Sequence, residues 1–96
     1  MTKRENELAD KFESRGIPGH MVDGLALYVT QGLGQGGFLT ALLENDFMRA
    51  AGQADDMNIY ALKAYAMVFF NDIPASCYGS PEKVDAWMKH RGEAGQ

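Results

Sequence analysis

A chain of 96 residues with 46% hydrophobic and 23% charged side chains has room for one small domain, which buries roughly 60–65% of the surface its unfolded form exposes. Its net charge of −4 is concentrated: residues 1–16 and 80–96 balance seven acids with seven bases, whereas 17–79 set Asp23, Glu44, Asp46, Asp55, Asp56 and Asp72 against Arg49 and Lys63 alone. This composition argues against a disordered chain, the missing basic stripe argues against a nucleic-acid partner, and no apolar run approaches the roughly 18–20 residues that would imply a membrane partner.

The first sixteen residues, "MTKRENELADKFESRG", are densely charged and lack the apolar centre of a secretory signal. One cysteine, Cys77, leaves no internal disulfide, so the reducing cytoplasm is the expected compartment. Thr2 and Glu5 have capping-box spacing. Residues 3–15 then carry Leu8 and Phe12 one turn apart among charges, with Gly16 as the stop, which predicts a peripheral N-terminal helix within residues 1–16, docked by a narrow stripe.

Pro18 opens a second helix. At 100° per residue, Met21, Val22, Leu25, Ala26, Tyr28 and Val29 fall on one arc of about 160°, with Asp23, Gly24, Thr30 and Gln31 opposite and Leu27 outside it. Gly32 ends it. A third helix follows with Phe38, Leu39, Leu42 and Leu43 on one face, and Asn45 and Asp46 either end it or cap a short turn, "FMRAAG".

Asp55 or Asp56 caps the most apolar segment, "MNIYALKAYAMVFF" (57–70), which reads as one helix apolar nearly all round. Such a helix belongs in the middle of a bundle or at an interface, because Tyr65, Phe69 and Phe70 would otherwise form a large exposed patch. "NDIPASCYG" is a turn-rich connection, Ser80 and Pro81 begin a last helix with Val84, Trp87 and Met88 inward, and residues 93–96 are expected to fray. Few β-branched residues and no Asn-Gly or Asp-Gly turn argue against a sheet. The expected fold is a single all-α domain over 1–96, a compact bundle of five or six short helices.

Gly32, Gly34 and Gly37 spell G-x-G-x-x-G inside "QGLGQGGFLTALLE", the fingerprint of a dinucleotide-binding turn. That reading needs a flanking strand, a following helix, a second strand and an acid about 20 residues on. The second strand is missing, since "NDFMRAAGQADD" has no apolar β run, so the glycines read better as a helix stop and a turn. A narrower alternative remains: free amides at Gly36, Gly37 and Phe38 that would hold an anion, making the protein a small-ligand binder such as a sponge for a nucleotide signal.

Other chemistry finds little footing. His20 and His90 lack partners at metal-ligand spacing, His20 and Asp23 reading as a surface coincidence, so no metal or other cofactor is expected. Cys77 reads as a small buried hydrophobe rather than a nucleophile. Glu44, Asp46, Asp55 and Asp56 read as caps and solvated face rather than acid–base pairs, and no catalytic residues are assigned. Binding to a protein is the remaining reading. Tyr60 at a helix start and Tyr78 in a loop are the aromatic contacts expected to be exposed, with Asp46, Asp55 and Asp56 as acidic contacts and self-association into a homo-oligomer as an added expectation.

Taken together, the order Ile-Pro, "YV..G...GGFL.A.L.ND", "A..AD..N..AL" and "N..P..C.GS.EKV.AW" over residues 17–87 resembles a family of small uncharacterised proteins of tailed phages and prophages. Relatives in that family carry proline in the glycine loop where this chain has Leu33, Gly34 and Gln35, which implies that the G-x-G-x-x-G spelling is peculiar to this member. The resemblance covers about three quarters of the chain and implies a phage source with no assigned activity. The expected role is that of an accessory protein acting on a host or phage protein, in host takeover or against defence, without enzymatic activity.

Overall fold

The computed structural model describes residues 1–95, and every regular element among them is helical. Seven α-helices follow in order: α1 (Lys3–Ser14), α2 (Gly19–Gln31), α3 (Gly37–Leu43), α4 (Phe47–Gln53), α5 (Asp56–Tyr60), α6 (Leu62–Asn71) and α7 (Pro81–Lys89). Short 3₁₀ turns occupy Ala75–Cys77 and Gly92–Gly95. The all-α expectation holds. The count exceeds five or six because 57–70 is broken at Ala61, whose amide bonds back to the Asn58 carbonyl in a tightened turn.

α1 starts as its sequence predicts. Thr2 Oγ1 accepts from the Glu5 amide at 3.2 Å and Glu5 Oε1 accepts from the Thr2 amide at 2.8 Å, a complete capping box. Gly16, at φ 106°, carries the chain out, and the Ile17 amide closes on the Phe12 carbonyl. α1 docks by a narrow stripe, with its remaining side chains exposed. Leu8, Ala9 and Phe12 are buried with Phe12 fully so, and its last turn is tied to the end of α6 by Lys11 and Arg15, which reach Asp72 at 3.3 and 2.9 Å.

α2 is the central helix. Val22, Leu25, Ala26, Tyr28 and Val29 are buried as the periodicity requires. Thr30, expected on the opposite face, is also buried, because α1 lies over that side. Its hydroxyl sits 3.0 Å from Glu5 Oε2 and 2.9 Å from the Ala26 carbonyl. Two long-range bonds pin the core: Tyr28 Oη donates to the Cys77 carbonyl (2.6 Å) and Trp87 Nε1 to the Tyr28 carbonyl (2.9 Å). Burying these polar tips with partners avoids the cost of leaving them unpaired.

The expected fray at the C-terminal end is corrected over residues 93–95; Gln96 lies outside the described residues. Gly92 is buried, and Glu93 accepts from Arg4 in a two-pronged pair at 3.0 and 3.4 Å. The tail is ordered because Gly92 packs backbone to backbone against Gly32, a contact that no residue with a side chain allows.

Candidate functional site

The glycine loop does not build a phosphate cradle. Gly32 is a left-handed C-cap (φ 68°, ψ 26°) whose amide donates to the Tyr28 carbonyl. A Cβ there would sit 2.8 Å from the Gly92 nitrogen and 2.9 Å from the Trp87 carbonyl oxygen, and one on Gly92 would sit 2.7 Å from the Gly32 nitrogen. Gly37 serves a different purpose: a Cβ on it would collide with Oε1 of Gln53, whose side chain lies over the start of α3. Gly36, Gly37, Phe38, Gln53 and Asp55 border the same small pocket of about 280 Å³. The α3 amides there face a glutamine and a carboxylate, with no Lys or Arg in the lining. Phe38 is buried, its ring edge-on to Tyr65 at 5.5 Å. Nothing in this arrangement favours an anion.

The other titratable candidates are likewise occupied. His20 Nε2 lies 2.9 Å from Asp55 Oδ2, so its partner is Asp55 rather than Asp23. Asp55 also caps α5 by accepting from the Asn58 amide at 2.7 Å. That bond and then the His20 contact hold its carboxyl below its ordinary value. Burial pushes the Cys77 thiol up to about 12, which keeps it protonated at neutral pH and removes the thiolate that nucleophilic chemistry needs. No cluster of three His, Cys, Asp or Glu residues suited to a metal ion is found among the described residues.

What stands out instead is an apolar groove of about 610 Å³ between α3, the start of α4, α6 and the Tyr78–Gly79 turn. Its aromatic wall is built by α6. Tyr65 and Phe69 face inward, joined edge-on at 6.2 Å, and Phe69 leans on the Tyr78 ring at 5.3 Å. Leu42 of α3 lines the groove with them. Tyr65 Oη donates to Asn58 Oδ1 at 2.8 Å, which fixes the ring and the junction between α5 and α6 together. Two phenyl groups, Phe47 and Phe70, border the groove and stay in solvent at 58% and 84% exposure.

The apolar segment 57–70 therefore does two things at once. Ala61, Tyr65, Val68 and Phe69 enter the core, while Met57, Ile59, Tyr60, Met67 and Phe70 face out. Phe47, Tyr60, Met67 and Phe70 alone leave on the order of 600 Å² of side chain in water, taking a full aromatic as about 150–250 Å².

The residues expected to contact a partner are scattered by this fold. Tyr78 lines the groove. Tyr60 is 90% exposed at the end of α5, outside the groove lining. Asp46 caps α4 by accepting from the Arg49 amide and sits 3.6 Å from its guanidinium, Asp55 belongs to the glycine-loop pocket, and Asp56 lies exposed in the first turn of α5. Phe47 and Lys63 were missed as site residues. The surplus of apolar residues in 57–70, more than one buried face can absorb, signals an exposed face that holds Phe70, but neither Phe47, which lies outside the segment, nor Lys63. Compared with protein-family models, with curated proteins and with solved structures, the chain matches none of them.

Proposed function

We propose that the protein is a binding module without chemistry of its own, an accessory protein of phage or prophage origin that docks a host or phage protein in the host cytoplasm on the α6 groove. The phage origin rests on the sequence resemblance over residues 17–87. The docking reading rests on one observation: Phe47 and Phe70, both largely in solvent, line one apolar groove together with Leu42, Tyr65 and Phe69. Exposed aromatics beside a shaped apolar recess are the pattern of interface anchors. Leaving two phenyl groups in water works against solubility, and a partner that covers them recovers the burial energy.

The test compares the wild-type chain with a Phe47→Ser/Phe70→Ser variant as bait in lysate of infected or lysogenic cells. Both side chains are solvent-facing, so the melting temperature stays within a few degrees. The expected result is a discrete set of retained proteins that the variant loses. An identical retained set on both baits overturns the proposal.

A further inference from the structure

We propose that the small pocket between the start of α3 and α5 takes a neutral lactam or carboxamide of about the size of a nucleobase. This site is separate from the docking groove, since no residue lines both recesses. Its central group is Asn58, which is only 3% exposed. The Asn58 backbone amide donates to the Asp55 carboxylate at 2.7 Å, and its Oδ1 accepts from the Tyr65 hydroxyl at 2.8 Å. Its Nδ2 donates to no group among the described residues. No fully enclosed side-chain nitrogen or oxygen among them lacks a partner, so this amino group meets open space, and Asn58 lines the pocket. A nearly buried donor without an acceptor costs free energy that a ligand carbonyl recovers.

The rest of the lining sets the ligand's charge and size. Gln53 lies over Gly37, and its side-chain amide makes no hydrogen bond among the described residues. An amide offers a donor and an acceptor, so Asn58 and Gln53 together match an edge on which a carbonyl stands beside an N–H. No Lys or Arg lines the pocket, and an anion finds no counter-charge. Both Asp55 oxygens are engaged, Oδ1 by the Asn58 amide and Oδ2 by His20 at 2.9 Å, so a cation finds no idle carboxylate. Phe38 and Leu39, both buried, supply an apolar side for a ring to lie against. The volume of about 280 Å³ is that of about nine waters in the liquid. It holds one small ring and leaves any larger part of the molecule outside.

The experiment titrates the full ¹⁵N-labelled chain with uracil, nicotinamide and nicotinate while the side-chain NH₂ resonances of Asn58 are followed by NMR. Uracil and nicotinamide are expected to move that pair saturably, with dissociation constants on the order of 1 mM, the range for about ten heavy atoms in a small recess. Nicotinate carries a carboxylate where nicotinamide has its carboxamide, and it should bind about 5- to 10-fold more weakly beside Asp55. Gln53 is exposed, so Gln53→Ala keeps the fold and weakens uracil about 3- to 10-fold, the loss of one hydrogen bond. Asn58→Asp keeps the acceptor for Tyr65, removes the donor and abolishes binding; Gln53→Ala serves alone where that variant does not fold. The proposal is overturned when neither neutral compound moves the Asn58 pair saturably at about 10 mM, tenfold above the expected constant. Nicotinate binding as tightly as nicotinamide, or a uracil affinity that Gln53→Ala leaves unchanged, overturns it as well.

Discussion

Single residues decide where this chain turns and what it can touch. Gly32 and Gly92 both take positive φ, 68° and 59°, and each occupies the space a Cβ of the other would need. Gly32→Ala therefore meets the left-handed penalty of about 1–2 kcal/mol and a backbone collision as well. We expect a loss of about 3 kcal/mol and a melting temperature lower by about 10–20 °C by calorimetry. Gly34→Ala meets nothing nearer than the Met88 sulfur at 3.8 Å and should change stability by no more than about 0.5 kcal/mol. A chain in which both substitutions cost the same would contradict this account of the loop. Gly32 as a helix stop was legible in the sequence, since glycine after an apolar periodic run is a C-cap signal. Its opposite number was not, because a contact across sixty residues leaves no local trace. The same holds for Glu5: its cap was written in the Thr2–Glu5 spacing, but its burial against Thr30 and Gln31 depends on how α1 lies on α2.

At the scale of elements, periodicity located α1, α2, α3 and α7 well and misjudged the apolar stretch. Nothing in "MNIYALKAYAMVFF" marks a break, as alanine is the strongest helix former. The interruption at Ala61 is bridged by a bond within the segment: Asn58 is buried and takes the Tyr65 hydroxyl. Tyr65→Phe keeps the ring and strands the Asn58 oxygen, so urea denaturation should show a loss of about 1–2 kcal/mol. An unchanged midpoint would mean that the bond does not hold the two helices. α1 shows how much a narrow stripe can hold. Phe12, in the stripe by which α1 docks, is fully buried, and Phe12→Ala should cost about 3–5 kcal/mol. A domain with about 5–15 kcal/mol in hand then sits close to unfolding at 37 °C, readable as loss of the cooperative thermal transition.

Acid is expected to destabilise the molecule as a whole, for a reason that spans its elements. Glu5 accepts first from the Thr2 amide and then from Gln31, and its carboxyl is lowered to about 2. Asp55 is lowered by the Asn58 amide and His20. Burial raises the Asp72 carboxyl, but its bonds to Arg15 and Lys11 outweigh this and leave it lowered. Depressed carboxyls stabilise the fold fully above their unfolded values near 4–4.5 and surrender that stability as pH falls through their folded values. For Glu5 the window runs from about pH 4.5 down to about 2. Wild type should exceed Glu5→Gln in melting temperature at pH 7, with the gap closing steadily across that window. A gap that is constant with pH would refute the assignment. The groove, for its part, was half legible: the surplus of apolar residues announced an exposed face, but not that Phe47 from another helix would complete it. A last consequence concerns synthesis. Val29 to Gly32 lie early in the chain, yet the groups that lock them, the Trp87 indole and the Gly92 backbone, come last. At about 5–20 residues per second, the N-terminal half waits several seconds, unlatched, until residue 92 has cleared the ribosome. Nascent chains stalled short of that point should remain open to protease however long they are left, and those extended past it should close.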